Sequence, residues 1–151
     1  MSEPELAPVA VVLTQVAAAE GLAAACAMNR VLVDAVPSPI GALAVCRSVG
    51  PGEPELAARA ISRVLANTPV VLVVQRGGQL TATRWVAGEP GDVMAPGLLL
   101  DGAPDQVEQL LLGQLAVGDL PGVVSSQMSR WRATRLLAAA ARAARRPGRP
   151  G

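Results

Sequence analysis

The chain has 151 residues, a formal net charge of +1, an apolar content of 51%, and no His, Lys, Phe or Tyr. Without His the commonest general base and metal ligand are missing and a Ser-His-Asp triad is excluded; without Lys, so is Schiff-base chemistry. A chain of this length suits one domain and can bury a core without disulfides or metal.

Residues 1–7 read as a flexible acidic lead, with acids where a secretion signal carries basic residues. Val9 to Met28 is rich in Ala, and its length predicts one long buried helix with Pro8 in its first turn and Asn29 as its left-handed cap. The β-branched Val9, Val11 and Val12 point the other way, to a strand Val9–Leu13 followed by a helix from Gln15. The long helix is the expectation. Glu20 within the run argues against a membrane span.

Strands follow at Arg30–Asp34 and Ala42–Arg47, reversed by Pro37-Ser38-Pro39. Glu53-Pro54-Glu55 opens an amphipathic helix, with Leu56, Ala60, Val64 and Leu65 on its apolar face and Ile61 beside them. Thr68-Pro69 stops it. The strongest local signal comes next: an apolar strand from Val70, a turn at Arg76-Gly77-Gly78, and an alternating strand Leu80–Val86. This glycine pair joins strands and opens no helix, so it is a hairpin turn and not a phosphate cradle. The first strand is apolar on both faces and belongs inside a sheet; the second is the candidate edge.

Gly88 to Asp92 reads as a surface turn, and Leu98-Leu99-Leu100 as a short strand or irregular packing segment. A helix runs from Asp105 to about Leu115 with Val107, Leu110 and Leu111 inward. The last helix, capped by Ser125 or Ser126, extends to about Arg146; residues 147–151 form a disordered tail.

The predicted fold is α/β (α+β): a compact sandwich with a mainly antiparallel four- to five-stranded sheet flanked by helices, over residues 8–122, plus a basic amphipathic helix at 123–146. This order of elements resembles the roadblock or profilin-like arrangement, a likeness of topology alone that implies a dimerising scaffold.

Charge is divided sharply along the chain. Residues 1–129 hold six arginines against twelve acids, a net −6, whereas residues 130–151 hold seven arginines and no acid. An acidic body with a basic tail points to an interaction segment. Candidate interaction residues are therefore Arg130, Trp131, Arg132, Arg135, Arg142, Arg145 and Arg146, together with Arg84 and Trp85 on the hairpin. Trp85 either plugs an aromatic-poor core or, if exposed, marks a docking surface. Asp34, Arg47 and Asp101 lie at or near the ends of apolar runs and are candidate polar groups of a pocket.

Cys26 and Cys46 sit in apolar surroundings and are expected to be free, buried thiols; their spacing forms no metal site. The expected function is a non-catalytic interaction, regulatory or adaptor domain whose arginine helix contacts an acidic partner protein or a second copy of the chain. The alternatives are a small-molecule-binding protein or divergent enzyme subunit, and a binder of nucleic acid or an anionic membrane surface through residues 130–149. No catalytic residue, cofactor or metal is expected. The location expected is the cytoplasm, and the absence of Lys, Phe and Tyr, whose codons are AT-rich, is the bias of a GC-rich bacterium.

Overall fold

The computed structural model describes residues 6–145; the acidic lead over 1–5, Arg146 and the tail at 147–151 lie outside the described residues. In chain order the elements are β1 (Val9–Leu13), α1 (Ala19–Met28), β2 (Val33–Val36), β3 (Leu43–Cys46), α2 (Glu53–Val64), β4 (Val70–Arg76), β5 (Gln79–Val86), β6 (Glu89–Met94), α3 (Pro96–Asp101), α4 (Asp105–Leu111), β7 (Val124–Ser125) and α5 (Arg130–Arg145). The class is α+β. The strands form one seven-stranded sheet in the order β6-β5-β4-β1-β3-β2-β7, with every neighbouring pair antiparallel.

The long N-terminal helix is not formed. Val9–Leu13 is the middle strand of the sheet, hydrogen-bonded to β3 on one side and β4 on the other. β-branched valines lose rotamer freedom in a helix and fit the pleat well. Here they also fill both faces. Ala10 and Val12 pack into the core on one side, and Val11 and Leu13 into the core on the other. A strand buried on both faces shows an unbroken apolar run, which periodicity alone cannot tell from a buried helix.

The first core lies under α1 and α2. It gathers Val12, Leu22, Cys26, Ala44, Ile61, Leu72 and Trp85. The second lies under α3, α4 and the segment that follows them, around Val11, Leu43, Val73, Val107, Leu110 and Leu111. α5 packs outside α1 and runs antiparallel to it: Thr134 reaches Met28, while Ala140 lies over Gly21. No helix of the described residues is long and apolar enough to cross a membrane.

The hairpin at 70–86 forms as the glycines require. Arg76 pairs with Gln79, and Gly77 and Gly78 both take positive φ (59° and 83°) in the two-residue turn. β4 lies inside the sheet, between β5 and β1. β5 is not the edge, because Glu89–Met94 adds a further strand beyond it. Glu89, Pro90, Gly91 and Asp92 are poor strand formers and read as a turn, but an edge tolerates Pro, whose missing N–H can face solvent. The turn itself is Ala87-Gly88, both at positive φ. Leu98-Leu99-Leu100 is helical, within α3, with Pro96 in its first turn.

Other details differ from expectation as well: β2 starts at Val33 rather than Arg30, and α4 ends at Leu111 rather than near Leu115. The left-handed residue closing α1 is Arg30 (φ 58°), not Asn29. The Arg30 and Val31 amides bond back to the Ala27 and Cys26 carbonyls, and the Asn29 side chain donates to the Ala25 carbonyl. α2 is rolled from its predicted orientation: Pro54, Ala57, Ala58, Ile61 and Ser62 are buried, while Leu56 is 63% exposed. Small residues let the helix lie close on the sheet and leave the row Leu56, Ala60, Val64 on its flank. α5 is capped by Ser129, whose Oγ accepts from the Arg132 amide at 3.1 Å. Ser125 belongs to β7, and Ser126 bonds the Val33 amide and the Val31 carbonyl.

Gln75 ties the layers together. Its side chain is fully buried, and its amide nitrogen donates to the Ala7 and Leu111 carbonyls, both at 2.9 Å. Its Oε1 accepts from the Gly78 amide at 2.9 Å. One residue thus joins the start of the chain, the end of α4 and the hairpin turn, with its donors and acceptor satisfied.

Candidate interaction surface

Ala133 on α5 is fully buried against the body, and Leu136 and Leu137 beside it are half-buried. The opposite side of a 3.6-residue helix is then occupied by Trp131, Arg135, Ala138 and Arg142, spaced four, three and four residues apart. All four are exposed, Trp131 at 71%. The Arg135 guanidinium lies over the Trp131 indole, 4.8 Å from the ring centroid. At an exposed site such a contact contributes about 0.5–1 kcal/mol, a two- to five-fold bias toward the stacked arrangement. Arg130 and Arg132 flank this stripe at the first turn, and Arg145 ends the helix.

Among the described residues the one ion pair is Arg47 with Asp34, so Arg130, Arg132, Arg135 and Arg142 have no carboxylate within bonding reach. No acid occupies the first turn of α5. Arg130 and Arg132 therefore add positive charge where the helix dipole is already positive, an arrangement that weakens a helix end by a few tenths of a kcal/mol per charge.

The hairpin residues separate. Arg84 is exposed on β5. Trp85 is 3% exposed and sits in the core beneath α2, with the Arg59 guanidinium 5.9 Å from its ring centroid. Its Nε1–H has no acceptor among the described residues. Trp85 is the plug of an aromatic-poor core and presents no docking surface.

The candidate pocket groups also separate. Asp34 and Arg47 meet across β2 and the end of β3 in a forked pair, Nη2 to Oδ1 at 2.7 Å and Nε to Oδ2 at 3.2 Å. The remaining donors reach Gln127 Oε1 at 2.8 Å and Ser125 Oγ at 3.2 Å. The hydrogen bond with Asp34 raises the Arg47 pKa above its ordinary value. The guanidinium is spent on tying β7 and the following turn to β2, a structural clasp. Asp101 ends α3, which packs on α4 and β5 in the other half of the sheet, and it is exposed.

Cys26 and Cys46 are free and buried on facing elements, α1 and β3. Burial pushes both thiols up to about 12; the neighbouring Cys46 adds to the effect on Cys26, and Glu55 to that on Cys46. Such thiols are protonated and poor nucleophiles at neutral pH.

The outward stripe of α5 is the surface that sequence reasoning placed most nearly. The helical spacing separates the arginines from the Leu/Ala side, and Trp131 falls among them. The pairing of Trp131 with Arg135 was not anticipated, although their four-residue separation is its signal. No protein-family model, no curated protein and no solved structure matches this chain.

Proposed function

We propose that this protein is a non-catalytic interaction module that docks an acidic partner protein on the outer face of α5. The observation that carries this reading is the exposed Trp131–Arg135 pair. Trp and Arg are the side chains that most often dominate binding energy at interfaces, and a stacked pair is biased toward one geometry before the partner arrives. The uncompensated arginines at the first turn of α5 support it further, since an acidic partner would supply the charge that the helix end lacks.

The test uses the full chain and reads binding from the fluorescence anisotropy of a dye carried by the ligand, so that the readout survives the loss of Trp131. A polyglutamate peptide is titrated at low salt, beside duplex DNA and anionic vesicles, while sedimentation follows self-association. Saturable binding of the peptide, lost in Trp131→Ala/Arg135→Ala and weakened by salt, is the expected result. Tighter binding of DNA or vesicles than of the peptide would reassign the surface to nucleic acid or membrane. Binding that survives the double substitution would remove α5 from the account.

A further inference from the structure

Between α1, α2 and α5 lies an apolar cleft of about 180 Å³. Gly21, Leu22 and Ala25 of α1 form its floor. Ala60 and Val64 of α2 stand on one side, and Leu137 and Ala140 of α5 on the other. The rolled orientation of α2 is what places Ala60 and Val64 there, off the sheet and facing α5. The residues that meet across the cleft are mostly small, and the chain contains no Phe to fill it.

Among the described residues the lining holds the Cys26 thiol and one amide side chain, Asn29, whose nitrogen is already bonded to the Ala25 carbonyl at 2.8 Å. The cleft is open to solvent on one side, but its lining offers water few hydrogen-bonding partners, so water there is poorly held and readily displaced by an apolar group. Dry cavities of about 150 Å³ lined by aliphatic side chains take up benzene or xenon. The occupant is therefore read from volume and polarity together.

We infer that this cleft is a binding site for a small apolar molecule, or the apolar end of one, of about the size of benzene. The site is separate from the outward stripe of α5. Because Leu137 and Ala140 form one wall, an occupant fastens α5 to α1 and α2.

The test follows thermal unfolding of the full chain in sealed cells, with benzene as the probe. At ten times its dissociation constant, benzene should raise Tm by roughly 3–6 °C, and the rise should saturate. Ala140→Leu plugs the cleft from an exposed helix position, and Ala60→Leu plugs it from the opposite wall. Both variants should melt no lower than the parent and lose the benzene response. Absence of a shift in the parent, or an equal shift in both plugged variants, overturns the site. A parent that is dimeric without benzene, and made monomeric by Ala140→Leu, would show instead that a second copy covers the cleft.

Discussion

Raising the pH above 9 should destabilise this protein through two groups alone. The chain has no Lys, Tyr or His, and arginine stays charged. The α-amino group titrates near 8, leaving Cys26 and Cys46 as the titrating groups between about pH 9 and 12. Burial lifts both native thiols from 9.0 to about 12. A native state with the higher pKa keeps its protons where the unfolded chain loses them. The stabilising contribution is thus complete below pH 9 and falls as pH rises toward 12. Each pH unit in that window removes about 1.4 kcal/mol per thiol, so at pH 10 the two together remove about 3 kcal/mol. Against a typical stability of roughly 5–15 kcal/mol this is a large fraction. Urea unfolding followed by tryptophan emission, under reducing conditions at pH 8, 9, 10 and 10.5, measures it. The midpoint should drop along the series, whereas Cys26→Ala/Cys46→Ala, lower at pH 8 from lost packing, should give a nearly flat profile. An equal decline in the double variant would refute the assignment, and so would a flat parent.

Other substitutions test the frame and the surface. Gln75→Leu keeps the bulk but removes three hydrogen bonds and leaves the buried Leu111 carbonyl without its partner, and should lower stability by about 2–3 kcal/mol in urea unfolding. Gly41→Ala places a methyl group against the Thr14 carbonyl at a φ of 121°, and should cost about 3 kcal/mol or more. Gly52→Ala, at φ 81° with open space around it, should cost about 1 kcal/mol by the same measurement. Arg30→Gly relieves a left-handed residue at the end of α1 and should raise Tm by about 2–4 °C. Arg132→Glu puts an acid on the first turn of α5 and should raise stability by up to ~1 kcal/mol while weakening polyglutamate binding, separating the helix from its function.

What was legible in the sequence follows the range of the interactions involved. The hairpin at 70–86 is local, since Gly77-Gly78 dictates the turn and the turn sets the register from Arg76–Gln79 to Val70–Trp85. α4 is local as well, and Val107, Leu110 and Leu111 face inward as their spacing requires. β1 is not. Val11 pairs with Val45 and with Val73, so the choice between strand and helix is made by partners far along the chain. Two further strands that were not expected, β6 and β7, were hidden for a related reason. β6 lacks the composition of a strand and β7 is only two residues long, and each pairs with backbone groups that a neighbouring strand leaves free. The roll of α2 likewise depends on how closely Ala57 and Ala58 approach the sheet, which the spacing of Leu56 and Val64 misreads.

The surface features divide in the same way, and the division decides how they can be tested. The arginine stripe is a property of one helix and is visible on its wheel. The cleft is a property of three helices: the apolar rows of α2 and α5 are visible in the sequence, and their meeting across α1 is not. Yet α5 belongs to both: Trp131 and Arg135 look outward, and Leu137 and Ala140 look into the cleft. Deleting α5 would abolish the stripe and the wall together and could not tell one role from the other. Substitutions on its two faces can. Ala140→Leu should remove the benzene response and leave polyglutamate binding intact, and Trp131→Ala should do the reverse. A variant on either face that abolished both responses would mean that the two surfaces act as one.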